Sequence, residues 1–340
     1  MSQKNVITSR AKRLTYPKPN EASIENCQAF DFKEDYVLIN VLHSGISRGT
    51  ESLVYGGKVP ASEWSRMRCP HQVGEFSFPI TYGYACCGVV IETGADVSKV
   101  KPGQRVFVLH PHQDVICVSE DMCNPLPDQL PTTRGVLSAN METALNAFWD
   151  GEVEDNNSHA VIGCGVVGLL TAYVLKCETG RKPIVVDMNE EKRQVAEALG
   201  FEFHTPSSLA DNSVIDIDHV FNTSASGAGL QTAIDITSFE AKIIEMSWYG
   251  EKEVKLKLGG AFHSKRLQII SSQVGHVAPK HRDTVNFLQR MSRAMAYLCD
   301  PDLDQLLENP IDFNSLPVHL EDIFSADSNI LCQLVNYNHT

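Results

Sequence analysis

The residues best suited to chemistry are three glycines and an aspartate at a fixed spacing. Gly163, Gly165 and Gly168 follow the apolar run Ala160–Ile162, and Asp187 ends a second apolar run roughly 20 residues further on. Glycine at these positions allows a tight strand-to-helix turn, a close approach of backbone amides to a pyrophosphate, and close packing of helix on sheet. The helix N-terminus favours the phosphates, and the carboxylate accepts hydrogen bonds from ribose hydroxyls. The spacing therefore predicts a dinucleotide site.

The aspartate also bears on which dinucleotide binds. The charge of Asp187 repels a 2'-phosphate, so NAD is predicted rather than NADP. Lys192 and Arg193 follow without adjoining it, and they keep NADP open as an alternative. Val166 and Met188, which adjoin the glycine turn and the acid, belong to the same predicted cofactor-binding set.

The segments around this motif alternate between strands and helices. Beyond the glycine turn, the pattern predicts helices at 190–199 and 230–236 and strands at 219–222, 242–246 and 267–270, with a further helix before it at 132–149. Such alternation predicts an α/β fold with a doubly wound parallel sheet wrapped by helices. A later helix is predicted to face the core through an apolar stripe of Val285, Leu288, Met291, Met295 and Leu298.

The first 130 residues have a different pattern. Short β-branched runs separated by Gly, Pro and Asp predict strands at 36–42, 89–91, 105–109 and 114–118. The spacing indicates a small barrel, and the proline-rich stretch 124–131 ends it.

Composition limits the classes of partner. The chain has 340 residues, 43% of them hydrophobic, and 42 acidic against 29 basic residues give a net charge of -13. That charge repels nucleic acid and anionic lipid, so neither is a predicted partner. The sequence shows no signal-like or membrane-spanning apolar run. A cytoplasmic protein with reduced thiols is therefore expected despite its ten cysteines.

The order of the two parts, together with the stretches Gly83–Val90 and Val100–Val106, resembles the medium-chain dehydrogenase/reductase superfamily. The stretches Ser44–Glu51 and Pro79–Tyr84 are most similar to the branch that contains bacteriochlorophyllide a dehydrogenase. The resemblance implies a GroES-like catalytic domain, a Rossmann domain, a substrate cleft at their junction, and a homodimer formed through the edge strand Leu267–Ile270. The domain bounds expected on this basis are 1–131 with 276–340, and 132–275.

The chain departs from the zinc-dependent members of that superfamily, which hold a catalytic metal with a Cys, a His and a second Cys. Ser47 or Arg48 stands at the first ligand position, Tyr84 at the second and Ala139 at the third. No metal site and no zinc are therefore predicted. Other conceivable ligand sets are His110 and His112 with Cys117, or Cys69 with His71.

Without zinc, side chains must exchange the proton that accompanies hydride transfer. Tyr84 is the predicted acid or base, because the resemblance places its phenol against the substrate. Thr50 matches a relay hydroxyl of relatives, Ser47 extends the relay, and Arg48 is a cation able to lower the phenol's pKa. In the structural alternative Tyr84 is a wall residue, the hydroxyls cap a turn, and Arg48 pairs with Glu51.

The resemblance adds residues on the cofactor side. Thr143 and Val167 match positions near nicotinamide, and Thr223 and Ser224 match a turn beside its ribose. Ser247 follows a strand, where the carboxyl ends of a parallel sheet meet a ligand. The alternative is that these hydroxyls only cap helices or turns.

Together these observations predict a zinc-independent oxidoreductase that transfers hydride between NAD(H) and an alcohol or carbonyl of a small-molecule substrate. Two alternatives stay open: an NADPH-dependent enone or quinone reductase, and a non-catalytic nucleotide-binding protein.

Overall fold

The structure is a computed structural model, and it describes residues 6–7, 11–27, 30–211 and 216–338. The chain forms two compact units. One is built from residues 1–139 and 307–340, the other from residues 140–306.

The first unit is rich in β-structure. Its strands are β1 (Val6–Ile7), β2 (Ala11–Thr15), β3 (Ser23–Cys27), β4 (Phe30–Asp31), β5 (Tyr36–Ser47), β6 (Cys86–Thr93), β7 (Arg105–Val108), β8 (Val115–Ser119), β9 (Asn124–Pro125), β16 (Ile311–Asp312) and β17 (Cys332–Asn336). Its helices are α1 (Arg48–Tyr55), α2 (Thr132–Gly135) and α9 (Leu316–Phe324). The strands predicted in this part are therefore confirmed.

The long strand β5 organises this unit. Its first half pairs antiparallel with β8, its second half with β17, and β6 lies along its other edge. The main sheet has the order β16-β17-β5-β6-β7-β9. Consecutive residues Val37, Leu38 and Ile39 are all buried, so both faces of the strand are covered, as in a sheet that curls on itself.

The second unit is an α/β domain. Its strands are β10 (His159–Ile162), β11 (Ile184–Val186), β12 (Glu202–His204), β13 (Ile217–Asn222), β14 (Thr237–Glu245) and β15 (Gln268–Ser271). Its helices are α3 (Ser138–Gly151, from residue 140 onwards), α4 (Val166–Thr179), α5 (Arg193–Ala198), α6 (Pro206–Asp211), α7 (Gly227–Ile236) and α8 (Phe287–Tyr297).

All six strands of this sheet run parallel, in the order β12-β11-β10-β13-β14-β15. The buried strand β10 lies at the centre, and the strand order reverses between β10 and β13. Ligands of open α/β sheets bind at such a switch point, outside the carboxyl ends of the strands. The predicted doubly wound parallel sheet is confirmed.

Several details differ from the prediction. The helix expected over 132–149 is two helices, α2 and α3. The three-residue strand β12 and helix α6 are missing from the prediction, because segments this short show no clear periodicity. Leu288 is 46% exposed rather than part of the buried stripe, since α8 begins only at Phe287 and Leu288 lies in its first turn.

The second unit also extends beyond the predicted bounds. Residues 276–306 belong to it, whereas the prediction assigns them to the barrel domain. The physical reason is helix α8, whose Arg290 donates a hydrogen bond to Asn146 on α3. Similarly, the first unit runs to residue 139 rather than 131. No helix in the described part of the chain is long and apolar enough to cross a bilayer.

Candidate active site

The three glycines of the turn after β10 have three different environments. Gly163 is buried at φ 102, and a Cβ there would lie 2.8 Å from Oγ1 of Thr223. A Cβ on Gly168 would lie 1.9 Å from the carbonyl oxygen of Gly163. A Cβ on the exposed Gly165 would meet nothing within 4 Å. The turn and the packing thus require Gly163 and Gly168, whereas Gly165 leaves open space before the first N–H groups of α4, as a pyrophosphate needs.

The carboxylate of Asp187 lies beside this turn, at the carboxyl end of β11. Its Oδ2 accepts a hydrogen bond from the Cys164 N–H at 2.7 Å, and its Oδ1 accepts one from the Asn189 N–H at 2.8 Å. Each oxygen has further lone-pair capacity for a ribose hydroxyl. Met188 next to it is 81% exposed, an apolar surface that fits an adenine face. The structure therefore brings the predicted acid to the glycine turn, and these residues fit a dinucleotide.

Arg193, one of the two basic residues that follow Asp187, has other partners. The Arg193 guanidinium donates to carboxylate oxygens of Glu190 at 2.6 Å and Glu197 at 3.2 Å. It also lies 4.6 Å from the ring centroid of Phe203. Its charge is therefore compensated within its own helix region.

The carboxyl ends of β13 and β14 carry the predicted hydroxyl residues. The Thr223 hydroxyl donates to the carbonyl oxygen of Gly163 at 3.0 Å, and Ser224 donates to Oδ1 of Asn222 at 2.8 Å. Ala225 has a positive φ of 48, and its N–H donates to Oγ of Ser247 at 3.0 Å. Thr223, Ser224 and Ser247 thus lie at the same sheet edge as the glycine turn. Thr143 lies on α3, and Val166 and Val167 form the start of α4.

This edge also carries a polar network that was not predicted. Nδ2 of the fully buried Asn222 donates to Oε2 of Glu245 at 2.7 Å, and the Tyr249 hydroxyl donates to the same oxygen at 3.0 Å. The Ser247 N–H donates to Oε1 of Glu245 at 2.8 Å. The sequence contains a signal for this network, because Asn222 and Glu245 are polar residues that each end an apolar strand, and these two strands are adjacent.

In the first unit, Tyr84 contacts two of the predicted hydroxyl residues. Its phenol hydrogen-bonds with the side chains of Ser47 and Thr50. Burial raises the pKa of Tyr84 well above its usual range, the charge of Glu51 raises it further, and the two hydrogen bonds lower it in part. The phenol is therefore protonated at neutral pH and is suited to donate a proton.

A fully buried carboxylate–imidazole pair adjoins this cluster. Oε2 of Glu51 lies 2.9 Å from Nε2 of His112, and Oε1 of Glu51 accepts from the Ser47 N–H at 2.8 Å. Nδ1 of His112 hydrogen-bonds with the Ser44 hydroxyl, which in turn hydrogen-bonds with the Tyr337 hydroxyl, each at 2.8 Å. Both ring nitrogens of His112 therefore have partners, and Glu51 does not pair with Arg48 as the structural alternative expects.

Arg48 has a different environment from the predicted one. Its guanidinium donates to three carbonyl oxygens of the carboxyl-terminal segment: Ser325 at 2.6 Å, Ser328 at 2.7 Å and Ile330 at 3.1 Å. These contacts fasten β5 and α1 to residues 325–330. They correspond to a structural role rather than to a cation placed against the Tyr84 phenol.

The alternative metal ligands do not converge. The His110 Nδ1 hydrogen-bonds with the carbonyl oxygen of Pro111 at 2.8 Å, and its ring stacks on His71 at a centroid distance of 5.0 Å. Within the described residues there is no group of three or more His, Cys, Asp or Glu side chains arranged to hold a metal ion.

Known proteins share this architecture. The model of the alcohol dehydrogenase GroES-like domain family matches residues 33–175. Over 195 residues the chain is 28% identical to the (R,R)-butanediol dehydrogenase of Bacillus subtilis, an alignment that covers 49% of this chain and 55% of that protein. It is 25% identical over 208 residues to the 2-desacetyl-2-hydroxyethyl bacteriochlorophyllide A dehydrogenase of Cereibacter sphaeroides, covering 56% of this chain and 60% of the relative. The chain thus spans little more than half the length of these relatives.

Solved structures match over nearly the whole chain. A zinc-binding dehydrogenase of Sinorhizobium meliloti bound to NADP has a TM-score of 0.79 at 17% identity, covering 97% of this chain and 100% of that one. An Escherichia coli alcohol dehydrogenase complexed with NADH has a TM-score of 0.76 at 17% identity, covering 96% and 99%. Two compact units, a Rossmann-type strand order and these similarities agree on one point: the chain resembles alcohol dehydrogenases, and its residues 33–175 match their GroES-like domain family.

Proposed function

We propose that the protein is a zinc-independent oxidoreductase that transfers hydride between NAD(H) and an alcohol or carbonyl group of a small-molecule substrate. The observation that carries this proposal is the open space at Gly165 beside the Asp187 carboxylate, at the carboxyl edge of the parallel sheet. A bound nicotinamide would supply or accept the hydride. Gly165 and Val166 would adjoin the pyrophosphate, and Gly163 and Gly168 would shape the turn that holds it. Val167 and the hydroxyl residues Thr143, Thr223, Ser224 and Ser247 would line the nicotinamide side.

NAD is the proposed cofactor, with NADP as the alternative. A 2'-phosphate beside Asp187 would meet a carboxylate at close range. Arg193, one of the two basic residues that follow Asp187, is already paired with Glu190 and Glu197. Of the similar structures, one was solved with NADP and another with NADH.

We assign to the Tyr84 phenol the exchange of the proton that accompanies hydride transfer. In carbonyl reduction the phenol donates its proton to the developing alkoxide, and in alcohol oxidation it receives the proton back. Ser47 and Thr50 hydrogen-bond with the phenol oxygen, which orients it and stabilises its negative charge once the proton has left. We assign Arg48 to holding this region in place.

The proposal includes a homodimer and a cytoplasmic location. Strand β15 is the outermost strand of the described sheet, and its free edge is able to pair with a second copy. None of the ten cysteines, all of which the structure describes, forms a disulfide, which fits a reducing compartment.

Calorimetric titration of the purified protein with NADH and NADPH tests the core of the proposal. We expect NADH to bind at least about tenfold more tightly than NADPH, and Asp187→Ala to remove most of that preference. Asp235→Asn is the matched control, because it removes an exposed carboxylate on α7 of the same unit and should leave the preference unchanged. Absence of binding by either nucleotide would overturn the proposal.

Turnover assays separate the two rival functions. NADH-dependent reduction of carbonyl compounds supports the proposal. Consumption of NADPH with enones or quinones would favour the reductase alternative. Tight NADH binding without turnover of alcohols, aldehydes, ketones or enones would favour a nucleotide-binding protein without catalysis.

A further inference from the structure

The loop after β15, residues 272–278, begins at the carboxyl edge of the sheet. This is the edge that carries the glycine turn and the ends of β13 and β14. A dinucleotide bound at the switch point would extend along this edge, with its adenosine part at Asp187 and its nicotinamide towards β13 and β14. The conformation of the loop therefore matters for the nicotinamide end.

The guanidinium of Arg290 hydrogen-bonds with the main chain of this loop. Arg290 is the largest of the fully buried side chains, with 2% exposure. Its Nη2 donates to the Val274 carbonyl oxygen at 2.6 Å, and its Nη1 donates to the His276 carbonyl oxygen at 3.1 Å. Two of its hydrogen bonds thus fix the main chain of a segment that belongs to neither a helix nor a strand.

Helix α3 provides the remaining hydrogen-bond partners of Arg290. Arg290 donates from Nε to Oε1 of Glu142 at 3.0 Å and from Nη1 to Oδ1 of Asn146 at 2.5 Å. Asn146 also accepts from the Ala278 N–H at 3.1 Å, at the end of the loop. Thr143, the proposed nicotinamide-side residue of this helix, lies between Glu142 and Asn146 in the sequence.

The beginning of the loop is held separately. The Ser272 hydroxyl donates to Oδ2 of Asp150 at 2.7 Å, and Asp150 lies on the same helix α3. The loop is therefore fastened at its start, centre and end to side chains of α3 and α8.

Stability alone is a poor explanation for this arrangement. A buried ion pair gains little over well-packed apolar side chains of similar volume, because both charges lose their hydration. Here two hydrogen bonds of the guanidinium are directed to carbonyl oxygens of a single loop. Such directed contacts specify the conformation of that loop, as a preorganised ligand site requires.

We propose that Arg290 is a positioning residue that holds loop 272–278 in the conformation that receives the nicotinamide end of the cofactor. The inference rests on the proposed function. It adds a residue that acts through the loop main chain and through α3, without itself contacting the cofactor.

The test compares NADH with ADP-ribose, which lacks only the nicotinamide, by calorimetry on the full-length protein. In Arg290→Lys the ammonium group keeps the charge beside Glu142 but cannot maintain the same fork of hydrogen bonds. We expect the Kd for NADH to rise about tenfold or more, while the Kd for ADP-ribose stays within about twofold of wild type. The control Arg293→Lys changes an exposed arginine of the same helix and should alter neither value.

A second variant keeps the inference testable if Arg290→Lys does not fold. Ser272→Ala removes only the hydroxyl that ties the loop to Asp150, and we expect about a threefold rise in the Kd for NADH with ADP-ribose unaffected. Equal weakening of both ligands, or no weakening of NADH in a folded variant, would overturn the inference. If the wild-type protein binds neither ligand, the proposed function itself fails; if it binds both equally, only the inference fails.

Discussion

Nε2 of His112 lies 2.9 Å from Oε2 of Glu51, and neither side chain is accessible to solvent. Breaking such a pair from one side leaves a buried polar partner without compensation. We expect His112→Leu to lower the free energy of unfolding by about 3–5 kcal/mol, measured by urea denaturation. His204→Leu is the comparison, because its partner Glu202 is 51% exposed, and its loss should be below about 1 kcal/mol. Equal losses in the two variants would contradict this account of the buried pair.

Removal of the Tyr84 hydroxyl should affect chemistry rather than binding. We expect Tyr84→Phe to reduce kcat by about 10²–10⁴-fold with any active carbonyl substrate while the Kd for NADH is unchanged. Tyr82→Phe is the matched control, since that buried phenol donates to the Met67 carbonyl oxygen at 3.3 Å and should leave kcat near wild type. Undiminished turnover in Tyr84→Phe would remove this residue from the proposed mechanism.

Two glycines of the same turn should respond in opposite ways. In Gly168→Ala the methyl group would lie 1.9 Å from the Gly163 carbonyl oxygen, so α4 must shift, and we expect stability to fall by about 1–3 kcal/mol. In Gly165→Val the new side chain begins in open space, so stability should change by less than about 0.5 kcal/mol while NADH binding is lost. Thermal melts and calorimetry on both variants measure the two effects, and a Gly165→Val protein that binds NADH normally would refute the assigned phosphate position.

Acid should destabilise the second unit through His159. Burial lowers the pKa of His159 to about 4, with the positive charges of His219 and Arg181 as smaller causes. The unfolded chain has an ordinary histidine pKa of about 6.5, so it takes up the proton first, and stability falls as the pH decreases from about 6.5 towards 4. We expect His159→Gln to lose less stability than wild type between pH of about 7.5 and 5, measured by chemical denaturation.

The control for this pH effect is His263→Gln, which changes an exposed histidine of the same unit. It should follow the wild-type curve. A wild-type protein whose stability is constant over this interval would contradict the expected role of the buried ring.

The edge strand provides the test of the proposed homodimer. Replacing Ile269 by Pro removes an N–H group of β15 and disfavours any strand pairing at this edge. We expect light scattering to show a dimer for wild type and a monomer for Ile269→Pro. The surface control is Val318→Lys, which should remain a dimer, because Val318 is exposed on α9. Lysine is used here because a proline at this position would disturb the helix.

The position of the glycine turn and of Asp187 at one sheet edge is largely predictable from the sequence, because its signal is local. Gly163, Gly168 and Asp187 follow strands that the apolar pattern already indicates, and a parallel sheet brings strand ends to one edge. The same rule applies to Asn222 and Glu245, whose positions at the ends of β13 and β14 are implied by the strand pattern although the prediction omits them.

The remaining contacts depend on long-range register. Glu51 and His112 are 61 residues apart and meet only once the strands of the first unit have paired. Arg290 and Glu142 are 148 residues apart, and the arginine lies within a helix whose apolar stripe indicates only a packed core. Arg48 likewise finds its carbonyl partners almost at the other end of the chain. No periodicity or short motif contains such pairings.

The carbonyl oxygens that accept hydrogen bonds from Arg48 are synthesised long after Arg48 itself. Residues 325–330 leave the ribosome after the whole of the second unit, 140–306, has been made. Until then the guanidinium next to Ser47 has none of these three acceptors. The second unit can therefore fold during translation before these contacts exist, whereas the unit that contains the Tyr84 phenol gains them only after residues 325–330 have emerged.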